Sequence, residues 1–103
     1  MSSSLNMVKT GKVSGSGAAK KVLLGFKPRS VHLFNEAAGG LVEAWKTDTM
    51  ETSKAMKRVP AGTATFAANM VTIETDGFTI GNDADLNAAG EVIHYEAFEG
   101  KND

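Results

Sequence analysis

The 103-residue sequence predicts an all-β domain: a small β-sandwich or barrel of about six to seven antiparallel strands, carrying an extended N-terminal arm. Three observations lead there. Apolar residues recur at every second position in several short runs, as in Val22-Leu24-Phe26 and along Met70 to Thr75. Turns bearing Gly or Pro separate these runs at short intervals. Almost nowhere do apolar residues follow the 3.6-residue period of a helix.

Residues 1–19 are rich in Ser, Gly and Lys and include Ser14-Gly15-Ser16-Gly17. Such a segment buries too little apolar surface to offset its ordering entropy, so it is expected to be an arm, held only by a partner. Val8 and Val13 allow a short strand within it. The domain is expected to occupy residues 20–103 and to stay folded when the arm is removed. It opens with Val22, Leu24 and Phe26 on one face, and Gly25 permits a bulge or a close backbone approach. Pro28, which lacks an N–H, places a bend before the next strand. There Val31, Leu33 and Asn35 share one face, and Ser30, His32 and Phe34 the other. Ala37-Ala38-Gly39-Gly40 reads as a turn, and Leu41 to Thr47 as the returning strand, with Trp45 a core residue or an interface anchor.

Asp48 to Pro60 is the least strand-like stretch, a short helix through Ala55-Met56-Lys57 or an exposed loop. Pro60-Ala61-Gly62 ends it. Strand character returns around Phe66, then along Met70 to Thr75. Asp76-Gly77 signals a hairpin turn into Phe78-Thr79-Ile80. Asn82 to Gly90 is a polar loop, and Glu91 to Phe98 forms the last strand. In it Tyr95 and Phe98 fall on opposite faces, one for the core and one for a contact beyond it.

Composition narrows the function. Hydrophobic residues at 42% and charged residues at 22% are ordinary for a globular chain, enough for one modest core. The absence of cysteine excludes disulfides, a thiol nucleophile and cysteine-held zinc or iron–sulfur sites. No apolar run approaches the roughly 20 residues of a membrane helix, and the opening residues lack the apolar stretch of a secretory signal. Charge is polarised along the chain. Residues 1–35 hold six basic and no acidic side chains, and residues 63–103 hold eight acidic side chains against Lys101 alone. The basic end either pairs with the acidic end of its own chain or reaches an acidic neighbour, including another copy. A net charge of −1 without an arginine or aromatic cluster beside the lysines argues against a nucleic-acid partner.

Candidate chemistry is sparse. Gly11-Lys12-Val13 lacks the residue pattern of a phosphate loop, and no Gly-x-Ser-x-Gly elbow occurs. His32 and His94 lack the spacing of a metal motif. Asp83, Asp85 and Asn87 copy the opening of a calcium loop, but Ala88 and His94 stand where that loop needs Gly and Glu. The other reading is a turn in which Asn and Asp side chains bond the backbone, with Asn87 and Gly90 left-handed. No cofactor and no catalytic residue is expected.

Two segments resemble a known group. Gly25-Phe26-Lys27-Pro28-Arg29-Ser30-Val31 is similar to the opening of small tailed-bacteriophage virion proteins. Asp76-Gly77-Phe78-Thr79-Ile80-Gly81, with Asp85-Leu86-Asn87 and the run from Gly90 to Phe98, is similar to their closing pattern. Together the segments cover less than half of the chain. The resemblance implies a non-enzymatic virion structural protein, assembled in the host bacterial cytoplasm. Its expected role is that of a capsid decoration (cement) protein, a dimer or trimer docked on the major capsid protein. A tail or fibre module for host glycans is the alternative. Expected contact residues are Lys9, Lys12, Lys20 and Lys21 in the arm, with Trp45 and Phe98 as interface anchors; neither a membrane nor a nucleic acid is expected as partner.

Overall fold

A computed structural model describes residues 7–37 and 40–100. The fold is all-β, with two antiparallel sheets and no helix among the described residues. Nine strands form among the described residues, where six or seven were expected. They are β1 (Val8–Ser14), β2 (Lys20–Leu23), β3 (Ser30–Ala37), β4 (Gly40–Thr47), β5 (Ala55–Arg58), β6 (Ala64–Ala67), β7 (Val71–Glu74), β8 (Gly77–Ile80) and β9 (Val92–Phe98). The larger sheet runs β1-β9-β3-β4-β5-β6 and the smaller β2-β8-β7.

Alternation explains most of the core. Val31, Leu33 and Asn35 point inward from β3, and Ile93 and Ala97 do so from the neighbouring β9. Val22, Phe78, Ile80 and Val71 answer from the smaller sheet, with Leu24 and Phe26 continuing the inward row beyond β2. Tyr95 is the member of the Tyr95/Phe98 pair that joins this core, its ring edge-on to Phe78 at 5.4 Å. Pro28 falls in the bend before β3, as its missing N–H requires.

The expected arm needs correction. Residues 1–6 lie outside the described residues. Val8 to Ser14 are the edge strand β1, paired along its whole length with β9, so Lys9 faces Ala97 in register and Lys12 faces His94. Gly11 sits under Tyr95, where an added Cβ would lie 2.5 Å from the phenol oxygen. Residues 15–18 are also tied down. Gly15 donates to Glu91 O, Gly17 donates to Asn87 O, and the Asn87 side chain accepts from Ser16 N at 2.8 Å while donating to Ala18 O at 2.7 Å and Gly81 O at 2.8 Å. Backbone hydrogen bonds thus supply what apolar burial in this segment cannot.

Three turns also differ from expectation. Asp48 to Pro60 is neither helix nor simple loop: turns over 48–54 lead into strand β5. The hairpin between β7 and β8 turns on Thr75-Asp76, one residue earlier than the Asp-Gly signal, because Glu74 pairs with Gly77. Gly77 serves close approach instead, since a Cβ there would lie 2.0 Å from the Val22 carbonyl oxygen. Gly90 is left-handed as expected (φ 81°), whereas Asn87 is not, and Ser53 and Asn69 are the non-glycine residues with positive φ among those described. Gly25 does mark a bulge: Leu24 N and Gly25 N both donate to Asp76 O, with φ 87° at the glycine. The tip of the β3–β4 hairpin, residues 38–39, lies outside the described residues, although Ala37 and Gly40 pair across it.

Two outcomes follow. Deleting residues 1–19 strips β9 of its outer partner and Asn87 of three hydrogen-bonded neighbours; the truncated chain is expected to melt at least about 10 °C lower in calorimetry. An unchanged midpoint would restore the segment to an arm. Gly77→Ala is expected to cost about 2 kcal/mol or more in urea denaturation, well beyond the usual gain from Gly to Ala of about 0.4–1 kcal/mol, because a backbone oxygen cannot step aside.

Candidate functional site

The two faces of the larger sheet are unlike. Its inner face meets the smaller sheet and two loops, while no described residue forms a layer over its outer face. That outer face reads in cross-strand rows. One runs Thr10, Glu96, His32, Trp45, Met56, Phe66 from β1 to β6, and the next runs Lys12, His94, Phe34, Glu43, Arg58, Ala64. Val8 pairs with Phe98 at one end of the face. Trp45 is 47% exposed, Phe66 51% and Val8 54%, large values for residues that would otherwise be core material.

The expected interface anchors are therefore brought together. Trp45 and Phe98 wall one depression of about 480 Å³, floored by His32, Met56 and Glu96 and edged by Glu43 and Arg58. Met56 and Phe66 complete the apolar row: Met56 was missed because its strand was read as helix or loop, and Phe66, expected in a strand, was not placed on this face because that placement depends on β5 lying between β4 and β6. A second depression beside it is lined by Lys12, Phe34, His94 and Glu96. Charges on the face are mostly paired within it. His32 Nε2 meets Glu43 at 2.5 Å, with Arg58 3.9 Å from the same carboxylate, and His94 Nε2 meets Glu36 at 2.9 Å. Phe34 stacks on His94 with ring centres 5.0 Å apart. Such pairs orient the rings more than they stabilise, since half-exposed ion pairs contribute little, about 1 kcal/mol or less.

The four expected contact lysines do not form one patch. Lys9 and Lys12 lie on opposite faces of β1, because their numbers differ by an odd count. The Lys20 ammonium donates to Ser14 O at 3.3 Å. Lys21 sits on the smaller sheet, its ammonium 2.9 Å from the Asp76 carboxylate. The hydrogen bond between them raises the Lys21 pKa and lowers that of Asp76.

Calcium ligation by Asp83, Asp85 and Asn87 is not what the geometry favours. Lys57 points inward from β5 and places its ammonium 2.9 Å from Asp83 Oδ2 and 2.7 Å from Asp85 Oδ2. Asp83 Oδ1 accepts from the backbone N–H of Asp85 and Leu86, and the Asn87 amide is turned to residues 16–18. No cluster of three or more metal-ligating side chains occurs among the described residues. Burial acts to lower the Lys57 pKa, but the bonds to Asp85 and Asp83 outweigh it and leave the pKa raised. A second inward lysine, Lys46, donates to the carbonyls of Met50, Glu51 and Lys54 and pins the 48–54 turns; burial, partly countered by Glu51, lowers its pKa.

With this geometry in hand, comparison with known proteins finds no matching family model, no similar curated protein and no similar solved structure.

The Lys57 cluster generates a pH-dependent outcome. A raised folded pKa contributes stability that is complete below the unfolded value of about 10.5 and is lost as pH rises through the folded value. Lys57→Met is expected to cost about 1–3 kcal/mol at neutral pH, by leaving two carboxylates near an apolar methyl group. The gap between the two proteins should narrow above pH of about 10.5 in urea titrations. A gap independent of pH would mean that the ammonium itself contributes nothing.

Proposed function

We propose that this chain is a non-enzymatic virion structural protein of the tailed-phage kind, a capsid decoration protein that binds and stabilises the major capsid lattice. The observation that carries the reading is the open outer face of the six-stranded sheet, where Trp45, Phe98, Met56, Phe66 and Val8 lie together without a covering layer. A monomer seldom leaves several large apolar side chains exposed on one open sheet face, here set among polar groups, so adhesion to protein is what the face is suited to. The sequence segments quoted above, Gly25 to Val31 and Asp76 to Phe98, supply the virion context.

Decoration draws on multivalency. A module that joins its own copies and also touches a repeating lattice needs only modest contacts, because each one raises the effective concentration for the next. The dispersal of Lys9, Lys12, Lys20 and Lys21 over several surfaces moves the weight of the reading from charge to apolar contact.

A second reading, a tail or fibre module for host glycans, draws on the depression between Trp45 and Phe98. Aromatic walls beside Glu43, Arg58 and Glu96 suit a sugar ring. The apolar row, however, continues through Met56 to Phe66, beyond what a saccharide would use.

Co-sedimentation with purified capsids stripped of decoration tests the proposal. The full chain is expected to pellet with them and to stay bound in high salt, since apolar contacts are not screened. The double variant Trp45→Glu/Phe98→Lys is expected to stay in the supernatant. Failure of the wild-type chain to bind, together with a positive hit on a host-polysaccharide array, would transfer the assignment to the second reading.

A further inference from the structure

We propose that a second copy of this chain closes the open face, the two six-stranded sheets stacking about a two-fold axis. The inference rests on reading that face as an adhesion surface, and it names what adheres there first: a like subunit, so that the dimer is the multivalent unit that meets the capsid and binding falls with the dimer when Trp45 and Phe98 are changed.

Size is the first argument. Six strands about 4.8 Å apart span about 24 Å; four of them run seven or eight residues at about 3.3 Å each while β5 and β6 run four, a face on the order of 500 Å² in plan. Side-chain relief raises the accessible area toward the about 800 Å² that each partner contributes to a stable interface. A sugar or a short peptide would leave much of it wet, whereas an equal sheet covers it whole. Sheets pack face to face about 10 Å apart when large side chains interdigitate, and Trp45, Phe66 and Phe98 are the side chains available to do so.

Charge is the second argument. Glu43 lies against His32 and Arg58, and Glu36 against His94, so that Arg58 and Lys12 stand among Glu36, Glu43 and Glu96 and leave the face with a small net charge. Lys12 and Glu96, of opposite sign, stand on the neighbouring strands β1 and β9, two residues apart in register. A face so nearly neutral gives no purchase to a polyanion or an acidic lipid surface. It meets its own copy without like-charge repulsion, the condition that an isologous contact must satisfy.

Sedimentation velocity on the full chain, from micromolar to millimolar concentration, tests the proposal. The wild type is expected to sediment as a dimer. Trp45→Glu and Phe66→Lys are each expected to weaken association by at least about 100-fold, as disruption of a central aromatic contact does. Leu23→Lys, on the smaller sheet and 65% exposed, is expected to leave association unchanged. Circular dichroism and melting check that each variant is folded, as such exposed positions allow. A wild type that stays monomeric throughout overturns the proposal, and so does a folded Trp45→Glu chain that still dimerises like the wild type. A dimer that ignores capsids would remove the decoration reading alone, and a monomer that coats capsids would remove only the present one.

Discussion

Three strands cannot cover six. The mismatch between β2-β8-β7 and the six-stranded sheet is the constraint from which the other features follow. Where the smaller sheet reaches, the core is ordinary: Phe78, Ile80 and Val71 pack on Leu33, Val31 and Ile93. Where it does not, loops must cover the inner face, and loops bring unpaired backbone carbonyls with them. The chain satisfies these with inward polar side chains. Lys46 gathers three carbonyls of the 50–54 turns, Asn35 donates to Leu86 O and to Glu91 Oε1, and Lys57 binds Asp83 and Asp85. Each would be a costly burial alone, and each is offset because it anchors a loop that closes the core.

The same mismatch leaves its mark on the outer face. A sheet this wide needs a layer on both sides if both sides carry apolar residues, and this one does carry them. The residues on the outer face are arranged as if for an absent layer: ring on ring at Phe34 and His94, the Glu43 carboxylate held between His32 and Arg58, and a cross-strand row of Trp45, Met56 and Phe66. Internal pairing of charge with unpaired apolar surface is the reverse of a solvated face. That contrast, more than any single residue, favours adhesion over chemistry.

What the sequence made legible, and what it hid, divides along these lines. Strands β2, β3, β4, β7, β8 and β9 alternate apolar and polar residues over an ordinary core, so periodicity found them. β5 escaped because its inward positions are the small Ala55 and the charged Lys57, which leave no apolar alternation, while Ala55-Met56-Lys57 favours a helix locally. β1 was legible only as a short strand allowed within an arm, because it is held to the domain by backbone pairing and by the Tyr95 ring over Gly11, neither of which leaves an apolar pattern. Asp76-Gly77 misplaced the turn by one residue, since Gly77 answers a steric demand from Val22, a residue distant in sequence. At the site, Trp45 and Phe98 were visible as isolated aromatics. Their meeting on one face was not, because it depends on β3 lying between β4 and β9. The lysines were grouped by nearness in sequence, which strand alternation and a change of sheet then undid.

The proposed dimer would tie the stability of the fold, though not its formation, to assembly. Burial of Trp45, Phe66 and Phe98 then adds to stability only when the second surface is present, so apparent stability rises with the concentration of that partner. This suits the decoration role proposed above, in which copies are brought together on the array. Polar anchors hold each subunit's own loops in place beforehand, so association requires no refolding and loses little entropy to ordering. The inner face makes the fold self-sufficient enough to wait, and the outer face makes it worth bringing together.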